Sequence, residues 1–187
     1  MSSFEVLDGL PPYGPAALPF PEDGRGAFRE GLVVRFHRTA GGPWVGNFQK
    51  GLSGGFDFIV DHPDRRHVIV IAGGAGYFVD PEAARQTHTF GGGINFAQHL
   101  PYLNIVLIGD GIRLAAFSAN SSWDSERISW DGMRNIVITG TILYGEAWSP
   151  VSETWQPFQL DLLTGRSLGA IYGEEMATAV RTSPTKH

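Results

Sequence analysis

Apolar and β-branched residues cluster in short runs separated by glycine, proline and aspartate, which is the pattern of strands joined by tight turns. LVVRFH (32–37) and PWVGNF (43–48) flank RTAGG and predict a hairpin. FDFIV (56–60) is a further strand. HVIVIAG (67–73) turns through glycines into GYFVD (76–80), and QTHTF (86–90) alternates as an edge strand would. NIVLIG (104–109) meets Asp110-Gly111 and continues as IRLAAF (112–117). SERISW (125–130) meets Asp131-Gly132 and continues as MRNIVITG (133–140). Asp-Gly suits a type I′ turn, so both sites predict hairpin tips with positive φ at glycine. TILYGEAW (141–148) is the next strand, and PFQLDL (157–162) with RSLGAIYG (166–173) forms a last hairpin.

Helical signals are few. PEAAR (81–85) and INFAQHL (94–100) each predict a turn or two of helix, and GEEMATAV (173–180) a short C-terminal helix. Residues 1–28 hold Pro11, Pro12, Pro15, Pro19 and Pro21 and predict an extended arm, pinned by Leu18, Phe20 and Phe28. A single β domain is expected over 29–180, with a frayed tail at 181–187. HVIVIAG, NIVLIG and NIVITG each end in glycine, at Gly73, Gly109 and Gly140, 36 and 31 residues apart. That spacing is near that of propeller blades, but only about three to four would fit in this length, so the echo argues for successive antiparallel hairpins and not for a closed propeller. The predicted fold is all-β: successive antiparallel hairpins in a twisted meander or sandwich, with blade-like units as an alternative to it.

The triplet Ser-Trp-Asp occurs twice, at 122–124 and 129–131. Residues seven apart fall on opposite faces of a strand. The alternation of SERISW puts Trp130 inward with Ile128, whereas Trp123 follows Asn120, Ser121 and Ser122 and is expected in a polar loop.

Composition narrows the function. The 187 residues are 42% hydrophobic and 18% charged, enough apolar material for a core. No cysteine is present, which excludes disulfides and thiol chemistry. The formal net charge is −5, and the largest basic cluster is Arg65-Arg66, so no nucleic-acid partner is expected. No basic leader precedes an apolar run and no 18-residue apolar stretch exists, so neither secretion nor membrane insertion is expected, and a cytoplasmic location is.

Four stretches carry candidate chemistry. GLSGG (51–55) matches the glycine-x-serine-x-glycine pattern of α/β-hydrolases, but FDFIV after it is strand-like where that elbow needs a helix; a loop is the simpler reading. DHPDRRH (61–67) offers Asp61, His62, Asp64 and His67, with His88 and His99 elsewhere. Pro63 and the lack of a helical His pair make a turn the better reading than a metal site. Gly91–Gly93 precede INFAQHL as an anion cradle would, without the lysine of a P-loop. Glu146 and Glu153 flank Trp148 and Trp155, as carboxylates around a stacked sugar would.

No constellation here specifies a reaction. The expectation is a non-enzymatic binding protein without cofactor or metal, contacting another protein through Trp123, Asp124, Trp148 and Trp155. An immunity- or adaptor-like role fits that class. The alternatives are a small carbohydrate-active or hydrolytic enzyme with a small-molecule or sugar ligand, and a structural subunit of a homo-oligomer.

Overall fold

The computed structural model describes residues 3–23 and 29–168. Sixteen strands form four sheets of four, and no helix occurs among the described residues. The first sheet contains β1 (Phe4–Leu7), β2 (Leu18–Phe20), β3 (Leu32–Phe36) and β4 (Trp44–Phe48) in the order β1-β3-β4-β2. The second runs β5 (Phe58–Asp61), β6 (Val68–Ala72), β7 (Ala75–Asp80) and β8 (Arg85–Gly91). The third runs β9 (Phe96–Leu100), β10 (Ile105–Gly109), β11 (Leu114–Phe117) and β12 (Ser122–Asp124). The fourth runs β13 (Met133–Thr139), β14 (Ile142–Ser149), β15 (Thr154–Asp161) and β16 (Ser167–Leu168). In the last three sheets each strand pairs antiparallel with its neighbour in sequence, the strand order of a propeller blade.

The sheets pack in series, and strand patterning says why. β6 reads VIVIA and is buried at every position. Val68, Val70 and Ala72 meet the first sheet's Phe36, Phe48 and Trp44, while Ile69 and Ile71 meet Val106 and Ile108 of the third. β10 repeats this: Ile105 and Leu107 turn the other way, towards Leu143, Phe158 and Leu160 of the fourth sheet. A strand covered on both faces needs apolar residues at successive positions. β14 instead alternates, with Leu143 and Ala147 buried and Tyr144 exposed, because its sheet has a core on one side. No apolar cluster joins the first sheet to the fourth among the described residues.

Several expectations change. The proline-rich arm supplies β1 and β2, the two edges of the first sheet; β2 pairs parallel with β4 and buries Phe20. INFAQHL is not helical. Phe96–Leu100 pairs along the length of β10, sending Phe96 and Leu100 to one core and Ala97 to the other, so tertiary pairing overrides the helix propensity of Ala, Gln and Leu. PEAAR is a turn closed by Asp80, whose Oδ1 accepts the amides of Glu82 and Ala83. GEEMATAV lies outside the described residues. The glycine echo is out of phase: β6 and β10 are second strands of their sheets, whereas β13 is a first strand.

Asp110-Gly111 lies at a hairpin, and Gly111 has φ 85°. The turn is not type I′, however. It spans 110–113, and the Asp110 carboxylate accepts the amides of Ile112 and Arg113. SERISW is not a strand. Its backbone follows the rim of the third sheet, with the Ser125 amide on Leu114 O and the Ile128 amide on Ile112 O. Gly132 has φ 101° but enters β13 from this irregular segment, not from a hairpin.

Candidate functional site

The second and third sheets touch through Ile69, Ile71, Val106 and Ile108. Towards β8 on one side and β11–β12 on the other they bound a cleft of about 890 Å³. The strand register builds both walls. Opposed pairs share a face, so Phe78 with His88, and Phe90 opposite the bare Gly76, present side chains from β7 and β8. Ala115 with Asp124, and Phe117 with Ser122, do the same from β11 and β12.

The floor is aromatic. The Phe78 ring lies 4.9 Å from Phe90 and 4.9 Å from Phe117, and Phe90 lies 5.1 Å from Phe117. This contact bridges the two sheets, yet all three rings stay half-buried. Phe90 reaches the floor because Gly76 has no side chain beneath it: a Cβ there would fall 2.2 Å from Phe90 Cε2.

One end of the cleft is shaped by backbone. Gly51 N–H donates to Ala72 O, Leu52 N–H to Gly92 O and Ser53 N–H to Gly73 O, at 2.8–2.9 Å. GLSGG is therefore a backbone node, not a free loop and not a nucleophile elbow. It leads by a turn into β5, and no histidine or carboxylate hydrogen-bonds Ser53 Oγ among the described residues. The node holds Leu52 at the cleft mouth with 92% of its surface exposed. Arg113 stands exposed at the same end, and Asp124 and His88 line the mouth further along.

DHPDRRH is a turn whose residues divide their tasks. Asp64 Oδ1 accepts the amides of Arg66 and His67, and Oδ2 meets His67 Nδ1 at 2.7 Å. Burial raises the Asp64 carboxyl, but the hydrogen bonds from His67 and Arg66 outweigh it and hold the group well below the usual carboxylate range. Asp61 accepts a hydrogen bond from Ser3. His62 turns into the cleft with a side chain 10% exposed, its ring 5.3 Å from Phe78 and its Nδ1 3.1 Å from the amide of Asp64. Among the described residues no group of three or more His, Asp or Glu side chains is placed to hold a metal ion.

The four residues singled out from sequence fall in three places. Asp124 lines the cleft. Trp123 is in β12, not in a loop; it faces the other way and packs on the core between the third and fourth sheets, with Nε1 donating to Leu162 O at 3.0 Å. Trp148 and Trp155 sit opposite each other on β14 and β15, edge to face at 5.5 Å, on the side of the fourth sheet away from that core. Arg134 lies 4.2 Å above Trp155 and donates to Glu146 at 2.8 Å, as does Asn135 at 2.7 Å. These bonds hold Glu146 below the usual range. Sequence reasoning missed Phe78, Phe90 and Phe117, and weighed His62 only as a metal ligand in a turn, not as part of a cleft. The alternation of GYFVD and THTF places the rings on one face, but gives no sign that this face stays partly uncovered.

The chain matches no model of a known protein family, and no curated protein is significantly similar to it. No helix among the described residues is long and apolar enough to cross a membrane.

Proposed function

We propose that the chain is a non-enzymatic binding protein whose site is the cleft between the second and third sheets, and that its occupant is an apolar, ring-bearing group. The observation that carries this reading is the Phe78–Phe90–Phe117 contact left half-buried in a volume of about 890 Å³. Uncovered apolar surface forgoes roughly 25 cal/mol for each Å² that burial would gain. An apolar-floored cleft with a few polar groups at its rim is the usual form of a small-ligand site. Catalysis has less support. A glycosidase acid needs a raised pKa, and Arg134 and Asn135 push Glu146 the opposite way.

Titration with 8-anilinonaphthalene-1-sulfonate tests the reading. A saturable fluorescence rise is expected, and Ala115→Trp, which puts an indole into the cleft, should abolish it while the urea midpoint holds. Undiminished dye binding by folded Ala115→Trp overturns the assignment.

A partner protein remains the second reading, and a specific surface favours it. Trp148 and Trp155 share the outward face of the fourth sheet with Tyr144, 41% exposed, and Val137, 58% exposed. Paired tryptophans with an arginine over one ring resemble the anchors of protein interfaces. A second copy of the chain is one such partner.

A further inference from the structure

Three residues of the third sheet stand in line along the cleft. Phe117, Ala115 and Arg113 alternate onto one face of β11 and the turn before it, and all three line the cleft. The first and last of them, in an extended chain, are separated by about 13 Å along the backbone. Their chemistry is graded. Phe117 belongs to the ring contact with Phe78 and Phe90. Ala115 in the middle is small and opposes Ile108, whose side chain shares its face, so the floor there is aliphatic and low. Arg113 ends the line in a guanidinium that makes no hydrogen bond or ion pair among the described residues; only its backbone is engaged, with Asp110.

We infer that the occupant is an elongated aryl-alkyl acid: its ring lies on Phe78, Phe90 and Phe117, its methylene chain crosses Ala115 and Ile108, and its carboxylate meets Arg113. The inference rests on the cleft being the binding site and gives its occupant a charge and a length. The two acids of the cleft do not favour a cation at the Arg113 end. Asp110 Oδ1 already accepts the amides of Ile112 and Arg113. Asp124 opposes Ala115, so it flanks the middle of the line, where an uncharged chain passes, and at its exposed position water screens it. A carboxylate is the anion that best fits a guanidinium fork on a narrow chain, since its two oxygens match two parallel N–H donors.

Isothermal titration with 8-phenyloctanoate, 8-phenyloctan-1-ol and 8-phenyloctylamine tests this, because an extended chain of that length sets ring and head group about 13 Å apart, the span of the line. The acid should bind about tenfold more tightly than the alcohol or the amine. Arg113→Gln should bring the acid to within about twofold of the alcohol and leave the alcohol's own affinity unchanged. Ala115→Trp, which fills the middle of the line, should abolish binding of both. Spectra of the wild type give a readout independent of any variant: the acid should move the Arg113 Nε–H and the Phe117 ring resonances together, whereas the alcohol should move Phe117 alone. Equal affinity for the three probes, or an acid preference that survives in Arg113→Gln, overturns the inference and leaves the cleft reading standing. So does an amine that binds most tightly and is weakened in Asp124→Asn, which would make the occupant a cation. Failure of all three to bind overturns both.

Discussion

The indole of Trp123 lies against the backbone of Gly165: a Cβ added to that glycine would fall 2.5 Å from Trp123 Cε3. Gly165 has φ 71°, closes the turn between β15 and β16, and is buried. Trp123 also donates to Leu162 O in the same turn. A strand residue of the third sheet thus holds a turn of the fourth. Trp123→Ala should cost about 3 kcal/mol, from lost packing and an orphaned carbonyl. Trp130, half-buried beneath Arg127, should cost about 1 kcal/mol when cut to alanine. Gly165→Ala should cost about 2 kcal/mol through strain and collision. Part of that collision vanishes once the indole is gone, so the double variant should be less destabilised than the sum. Urea unfolding of the three single variants and the double variant checks this, and strict additivity would show that Trp123 and Gly165 are not in contact.

Two glycines of the rim separate crowding from strain. At Gly51 a Cβ would fall 2.6 Å from Gly92 O and 2.7 Å from Ala75 N, all backbone that cannot rotate away. At Gly111 the nearest atom is the side-chain nitrogen of Asn95 at 3.4 Å, and only the φ of 85° opposes alanine. Gly51→Ala should therefore lower stability by about 3 kcal/mol and Gly111→Ala by about 1 kcal/mol. Thermal unfolding ranks them, and a larger loss at Gly111 would contradict the close packing of the node on the turns beneath it.

Most strands were legible because their residues are apolar and their turns glycine-rich. β3, β4, β6, β7, β10, β13 and β14 lie where the runs LVVRF, WVGNF, VIVIA, GYFVD, IVLIG, MRNIVIT and ILYGEAW place them. β12, reading SWD, was illegible since its strand state is imposed by pairing with Ala115–Phe117. β9 was masked by helix-forming residues that accept extension to complete a sheet. β1 and β2 were hidden among prolines, which an edge tolerates. The cleft was beyond reach for a different reason. Phe78, Phe90 and Phe117 look like core residues and are core-facing; that they meet each other while staying half-exposed depends on how two sheets splay, which no local pattern encodes. Trp148 and Trp155 were found by their polar surroundings, but their opposition across β14 and β15 needed the register.

The turn that carries His62 should reveal itself in acid. Burial opposes the Asp64 charge, but the His67 and Arg66 hydrogen bonds prevail and depress its pKa in the folded state. A depressed carboxyl adds stability that is fully present above the unfolded value, about 3.9, and is lost as pH falls through that value towards the folded one. Asp64→Asn keeps an oxygen for the turn amides but loses the charge that meets His67. The variant should be less stable than the wild type at pH 6 by on the order of 1–2 kcal/mol. The gap should shrink steadily below pH 4, because the wild type then loses what the variant already lacks. Asp80 closes a neighbouring turn and is tied to this one through Arg66: it too is held low, with burial opposing and the Ala83 amide and Arg66 prevailing, so Asp80→Asn should show the same sign. Urea midpoints from pH 2.5 to pH 6 measure both. A deficit in Asp64→Asn that stays constant across that range would mean that the carboxylate acts through shape alone, and that its charge does not hold the turn beneath the cleft.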